Sequence, residues 1–156
     1  MKQIELTQGK IAIVDDCDYE WLSQWKWHYN SGRGYAARNS SRPNQKTLWM
    51  HHVILEHAGI DFIHIDHIDR DKLNNRRKNL RPATLSQNQW NQKKYRNNTS
   101  GFKGVYKNRN KWCAQIRVNG KRIHIGYFVD LKEAALAYNE AAKKYHGEFS
   151  CLNEVG

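Results

Sequence analysis

The pair Asn119-Gly120 sits between two runs of alternating apolar and polar residues, KWCAQIRV and KRIHIGYF. Few short signals constrain a chain more. A two-residue hairpin loop needs positive φ at both positions, which Asn and Gly tolerate, and it fixes the register of the strands on either side. FKGVYK reads as a third strand, with a turn over Asn108 to Asn110. Downstream, DLKEAALAYNEAAKKYHG reads as a helix, with Asp130 at its cap, Glu133 three residues on and Gly147 at its end. Ala134, Tyr138, Ala141, Ala142 and Tyr145 recur at helical spacing and are expected to pack on the sheet. Residues 101–156 should therefore form a three-stranded antiparallel sheet packed on one helix.

Strand alternation sorts the side chains of this sheet. Trp112, Ala114, Ile116, Ile123 and Ile125 should face the helix. The other face should carry Lys103, Gln115, Arg117, Arg122 and His124, with Tyr106 and with Arg109 in the first turn. A twisted ribbon bearing such groups can enter a major groove, although any one of them also suits a plain solvated face. Charge favours the first reading. Lys plus Arg total 26 against 15 Asp plus Glu, a net charge of +11, which points to a polyanionic partner.

The chain has 156 residues, enough for one compact domain or two small ones. Hydrophobic residues are 39% and mean hydropathy is −0.92, so any core must be small. Six Trp and eight Tyr help to fill it. Cys17, Cys113 and Cys151 are far apart, which suits a reducing compartment and argues against a disulfide framework or a cysteine zinc site. Met1 to Val14 holds no apolar run of signal-peptide length, and no stretch is apolar enough to span a membrane. A cytoplasmic protein with no membrane partner is expected.

Upstream, residues 1–48 read as short strands and turns. DYEWLSQWKW is ambiguous: Tyr19, Leu22 and Trp25 have helical spacing, whereas Trp25, Trp27 and Tyr29 alternate. WMHHVILEHAG predicts a short helix with Met50, Val53, Ile54 and His57 on one face and Gly59 at its end. Residues 64–81 predict two short segments joined by an asparagine-rich turn, and TLSQNQWNQKK a further helix. KKYRNNTS reads as a basic linker. The expected organisation is 1–92, a linker at 93–100, and 101–156.

The stretch IDHIDRDKLNNRRKNLRPATLSQNQWN is the most polar part of the chain. Asp66 and His67 are adjacent at a strand end, Asn79 follows in the turn, and Asn88 lies on the next helix. Carboxylate and amide oxygens are hard ligands for magnesium or manganese. A neutral imidazole can take a proton from water near neutral pH, and an amide can fix a loop. These groups would meet the needs of phosphodiester hydrolysis. By composition alone they equally suit a surface pair beside a turn.

The same stretch, with MHHVIL before it, resembles the HNH nuclease motif of the ββα-metal class found in phage and intron homing endonucleases. The resemblance covers roughly residues 47–91. It rests on Asp66-His67, Asn75-Arg76, Asn79-Leu80-Arg81 and Asn88 in that order. It implies His67 as general base, Asp66 and Asn88 as ligands of one divalent metal ion, magnesium or manganese, and Asn79 as the residue that orients the histidine loop. Arg76 and Arg81 become candidates for DNA contact. Where the family has a His-Arg pair, this chain has His51-His52. No structural zinc is expected. Residues 100–153 resemble the APETALA/ethylene-response-factor DNA-binding domain at Gly104-Val105, Trp112, Ala114, Ile116-Arg117, Gly126, Phe128, Ala134-Ala135, Tyr138 and Gly147. That similarity implies a sheet that reads DNA. Its first turn is shorter than in plant members, and Tyr106 and His124 stand where those often have Arg and Trp.

The combined expectation is an α+β protein with short N-terminal β segments, a ββα-metal HNH core and a C-terminal β-sheet reader. Its expected function is metal-dependent, site-biased nicking of double-stranded DNA by a monomer. The alternatives are a decayed HNH protein acting only as a DNA-binding regulator, and an RNA-binding protein.

Overall fold

The computed structural model describes residues 1–156 and divides them into two compact units, Met1–Thr84 and Leu85–Gly156. The chain is α+β, with several small antiparallel sheets and four helices. No helix is long and apolar enough to cross a membrane. The division falls after Thr84 rather than after residue 92, so the helix expected to close the HNH core groups with the C-terminal unit.

The first unit starts with a hairpin, β1 (Lys2–Glu5) and β2 (Ile11–Val14), followed by α1 (Asp16–Leu22). The ambiguous DYEWLSQWKW segment holds both periodicities in turn. The helix stops at Leu22, where the Trp27 indole donates to the Leu22 carbonyl at 2.9 Å, and the chain then extends into β3 (His28–Asn30). β3, β4 (Tyr35–Asn39) and β5 (Thr47–Trp49) form an antiparallel sheet with β4 central. α2 (Met50–His57) buries Met50, His51, Ile54 and Leu55. The buried face is therefore rotated from the expected one. Val53 is only partly buried, and the His57 ring stacks on Trp21 at 4.3 Å. β6 (His64–His67) and β7 (Leu80–Ala83) pair antiparallel, as the two segments flanking the asparagine-rich turn were expected to.

The second unit opens with α3 (Leu85–Trp90). β8 (Val105–Asn108), β9 (Lys111–Val118) and β10 (Lys121–Phe128) form the expected antiparallel sheet with β9 central. Asn119 and Gly120 have φ of 49° and 81°, as the hairpin requires. The register slips between His124 and Gly126, a bulge that alternation alone does not reveal. α4 (Leu131–His146) is capped by the Asp130 carboxylate, which accepts from the Glu133 amide at 2.9 Å. It buries Ala134, Ala135, Tyr138, Asn139, Ala142 and His146, whereas Tyr145 points outward. The segment expected as a linker is fastened to this unit. Lys94 Nζ donates to the Gly101 carbonyl at 2.6 Å, and Ser100 Oγ to the Val105 carbonyl at 2.7 Å.

Gly104 sets how closely helix and sheet approach. Its φ is 74°, and a Cβ there would lie 2.1 Å from the Tyr138 ring and 2.6 Å from the Gln115 carbonyl oxygen. Gly104→Ala should destabilise the second unit by about 2–4 kcal/mol, from left-handed strain plus overpacking. Urea unfolding of the full chain measures this, and a change below about 0.5 kcal/mol would show that the contact relaxes freely.

Candidate active site

β6 ends in Asp66 and His67, both buried. In the β6–β7 register Asp66 lies opposite Arg81. Arg81 donates from Nε at 3.0 Å and from Nη2 at 2.7 Å to Asp66 Oδ2, and the Arg81 side chain is only 12% exposed. A carboxylate this deeply buried needs a countercharge, and Arg81 supplies it. Arg81 was expected to face DNA; instead its guanidinium turns inward onto Asp66.

The chain between the two strands, residues 68–79, is held mainly by short polar side chains, with Leu73 packed against the hydrophobic core. Asn79 Nδ2 donates to Asp69 Oδ1 at 2.9 Å and to the Asn74 carbonyl at 2.8 Å, and its Oδ1 accepts from the Asp69 amide at 3.0 Å. Asp69 also accepts from Asn74 Nδ2 at 2.5 Å and from the Asp71 amide at 2.8 Å. Burial pushes the Asp69 carboxyl up, but these hydrogen bonds outweigh it and hold the group below the usual carboxylate range. Arg76, another expected DNA contact, is half-buried, with Nε donating to Asn74 Oδ1 at 2.9 Å.

Residues far upstream clamp this loop. The Ile13 amide donates to the Leu73 carbonyl at 2.8 Å, and the Asn75 amide to the Ile13 carbonyl at 2.7 Å. Arg77 donates from Nη2 and Nε to Asp18, a fully buried carboxylate on α1, at 2.6 and 2.8 Å. Its amide donates to Asp15 Oδ2 at 2.8 Å.

His67 receives three further neighbours. Asn75, fully buried, donates through Nδ2 to the Leu73 carbonyl at 3.2 Å, which turns its Oδ1 to His67 Nε2 at 3.4 Å. An amide oxygen can only accept, so this contact places the proton on Nε2 and makes Nδ1 the basic nitrogen. The rings of His51 and Tyr35 lie 5.1 and 5.8 Å from the His67 ring, and 4.6 Å from each other. Lys72 Nζ sits 4.6 Å from the Tyr35 ring centroid and donates to the Arg33 carbonyl at 2.9 Å. Burial lowers the His67 pKa more than Asn75, Asp69 and Asp66 raise it, so the imidazole is neutral near pH 7. Burial likewise keeps the Tyr35 phenol protonated. The roles of Asn75, Tyr35 and Asp18 were not legible in the sequence, because only the fold brings them to residues distant in the chain.

Asn88 lies half-buried on α3, in the second unit. No three His, Cys, Asp or Glu side chains gather into a metal cage. The donor atoms near His67 are a carboxylate and amides, a sparse hard set that fits a magnesium-class ion keeping most of its waters. Such an ion would share Asp66 with Arg81.

On the C-terminal sheet, Tyr106, Arg109, Arg117, Arg122 and His124 are exposed and Gln115 is half-buried. Lys103 is engaged internally: its Nζ donates to the carbonyls of Trp90 and Gln92, each at 2.6 Å. His124 Nδ1 lies 3.4 Å from the buried Cys113 thiol.

Comparison with known proteins gives the family. The HNH endonuclease family pattern matches residues 49–90, the span from β5 to α3. The uncharacterised HNH endonuclease L560 of Acanthamoeba polyphaga mimivirus is 32% identical over 149 residues, covering 95% of this chain and 77% of that protein. The chain belongs to the HNH endonuclease family. Protein 3.8 of Escherichia phage T7 is 37% identical over 89 residues, covering 56% of this chain and 73% of its own length. Dehydration-responsive element-binding protein 2C of Arabidopsis thaliana is 43% identical over 60 residues, which is 36% of this chain and 18% of the plant protein.

His51 gives the site a pH signature. Burial first, then the neighbouring His67, His52 and Lys72, lower its pKa from 6.5 to about 2. The folded protein therefore binds fewer protons than the unfolded chain between those values. The stability this group confers is complete above about 6.5 and is lost as pH falls. Going from pH 7 to pH 5 should cost about 2 kcal/mol at this residue. Urea unfolding at the two pH values should show this loss in the parent and a smaller one in His51→Phe. An identical pH dependence in both would refute it.

Proposed function

We propose that this protein is a metal-dependent DNA endonuclease in which His67 activates the attacking water. The observation that carries the reading is a buried, neutral His67 beside Asp66, its tautomer set by Asn75 and its loop locked by Asn79. The water proton passes to His67 Nδ1 as the water oxygen bonds to phosphorus, and the bond from phosphorus to one sugar oxygen breaks. A bound magnesium or manganese ion would supply Lewis-acid stabilisation of the scissile phosphate and the leaving oxygen. Asp66 is the carboxylate that would hold it, and Arg81 positions Asp66. The resemblance of the sequence to the HNH motif suggests Asn88 as a second ligand. Asn75 and Asn79 are positioning residues.

The second unit is proposed to bind double-stranded DNA through the outer sheet face, with Tyr106, Arg109, Gln115, Arg117, Arg122 and His124. The support is the exposure of its cations, the +11 charge of the whole chain and the similarity to a plant dehydration-responsive element-binding protein. Lys103 would then tie α3 to the sheet rather than reach a phosphate. One His67 per chain favours a monomer that nicks one strand per engagement.

His67→Ala is expected to lower plasmid cleavage at least ~100-fold while DNA affinity stays within about twofold. Parallel loss of binding would mean that His67 serves structure. Because His67 works as a neutral base, kcat/KM should rise with pH and level off before pH 7. A rise centred above pH 7 would point to another base.

EDTA should stop cleavage and leave Tm unchanged, as expected for a hydrated ion held by few protein oxygens. Supercoiled plasmid should pass through open circle before any linear form. Direct linearisation at limiting enzyme would exclude single-strand nicking.

A further inference from the structure

The second unit contains a cavity of about 600 Å³, well inside the size range of ligand sites. It lies between α3 with the segment after it and the part of β9 that runs past β8. Strand pairing of β8 with β9 stops at Val105 opposite Ala114, so Ile116 and Arg117 border the opening. Five cationic side chains line it, Lys93, Lys94, Lys103, Arg117 and Arg122, and no carboxylate does. The aromatic residues Trp90, Tyr95, Tyr106 and Tyr138 also line it.

This site is built before any ligand arrives. The Trp90 ring stacks on His146 at 4.4 Å and 9°. His146 is buried, and its Nε2 is bonded to the Arg117 carbonyl at 2.9 Å. The Lys103 ammonium holds the backbone of Trp90 and Gln92. A rigid aromatic wall saves the ordering cost that a flexible one would incur on binding. Tyr95, by contrast, is 76% exposed while also lining this positively charged recess. Lys94 and Lys103 donate hydrogen bonds to carbonyls and act as fixed charge. Lys93, Arg117 and Arg122 are exposed and can reach a phosphate.

Tyr106, Gln115, Arg117 and Arg122 of the proposed duplex-binding face also line this recess, but its concave interior does not suit an intact duplex. A duplex keeps its bases stacked inside a cylinder and is read by protruding ribbons or helices, not by a concavity. Aromatic walls with surrounding cations suit a base that has left the stack, with its phosphates on the rim. We propose that this cavity binds an unpaired nucleotide of a DNA strand, its base stacked on Tyr95 and its phosphates on Lys93, Arg117 and Arg122. The inference rests on the second unit being the DNA-binding one. It assigns to that unit a preference for DNA with a frayed, gapped or nicked strand.

Fluorescence anisotropy tests it with the full-length His67→Ala protein in EDTA, which cannot cut the probe. The probes are a duplex of about 20 base pairs and the same duplex with a single-stranded DNA tail of about six nucleotides. The tail should tighten binding by about tenfold, as one stacked base can. Tyr95→Ala and Lys93→Ala should each remove most of that gain and leave plain-duplex affinity within about twofold. Tyr95 is exposed, so its variant should keep the parent Tm, which checks folding. A tail that adds nothing would overturn the proposal, as would a Tyr95→Ala loss equal on both probes. A larger gain from an RNA tail would overturn the assignment to DNA. Failure of the duplex-binding reading looks different: plain duplex goes unbound while a lone DNA strand still binds in a Tyr95-dependent way.

Discussion

The amide of Asn79 is the hinge on which the candidate active site depends. It donates to Asp69 and to the Asn74 backbone and accepts from the Asp69 amide, which closes the polar loop between β6 and β7 on itself. Leu73 is its anchor on the hydrophobic core, and directed hydrogen bonds hold the rest of the loop. His67 stands at one end of that loop and Asn79 at the other, so the geometry that locks the loop also fixes the imidazole. Asn75, in the middle, turns its amide oxygen to His67 Nε2.

The N-terminal elements do the rest of this work. β2 pairs its backbone with Leu73 and Asn75, and α1 presents Asp15 and Asp18 to Arg77. A buried carboxylate such as Asp18 is costly alone and is retained here by a bidentate guanidinium. The matched family region begins at residue 49, and residues from 13 to 18 brace its polar loop from outside that region. This explains how a chain of low mean hydropathy can still hold a precise site. Hydrophobic packing fixes α2 and the small sheets, and paired charges and amides fix the loop.

The second unit uses a different economy of forces. A three-stranded sheet buries one face on α4, with Gly104 allowing the Tyr138 ring to lie directly on the backbone. The other face remains polar and basic. Lys103, read from its alternation as a surface cation, is recruited to the carbonyls at the end of α3. The same contact fastens Gln92, just past α3, and Lys103 lines the basic cavity.

Elements set by local chemistry were legible in the chain itself. The Asn119-Gly120 turn, the Asp130 cap and the two segments around the asparagine-rich loop follow from the residues, because turns, caps and alternation are decided within a few positions, whereas the Asp66-His67-Asn79 set was suggested by the resemblance to the HNH motif. Helix faces were legible only approximately. α2 and α4 are each rotated from their expected stripes because His51, Asn139 and His146 are buried by partners that no local rule supplies. The bulge at His124 to Gly126, the inward turn of Arg81 onto Asp66 and the capture of Lys103 were decided by tertiary structure. Sequence determined which groups could do chemistry. Only the fold decided which charges meet each other and which meet solvent, since a side chain's partner depends on distant residues that packing brings within 3 Å.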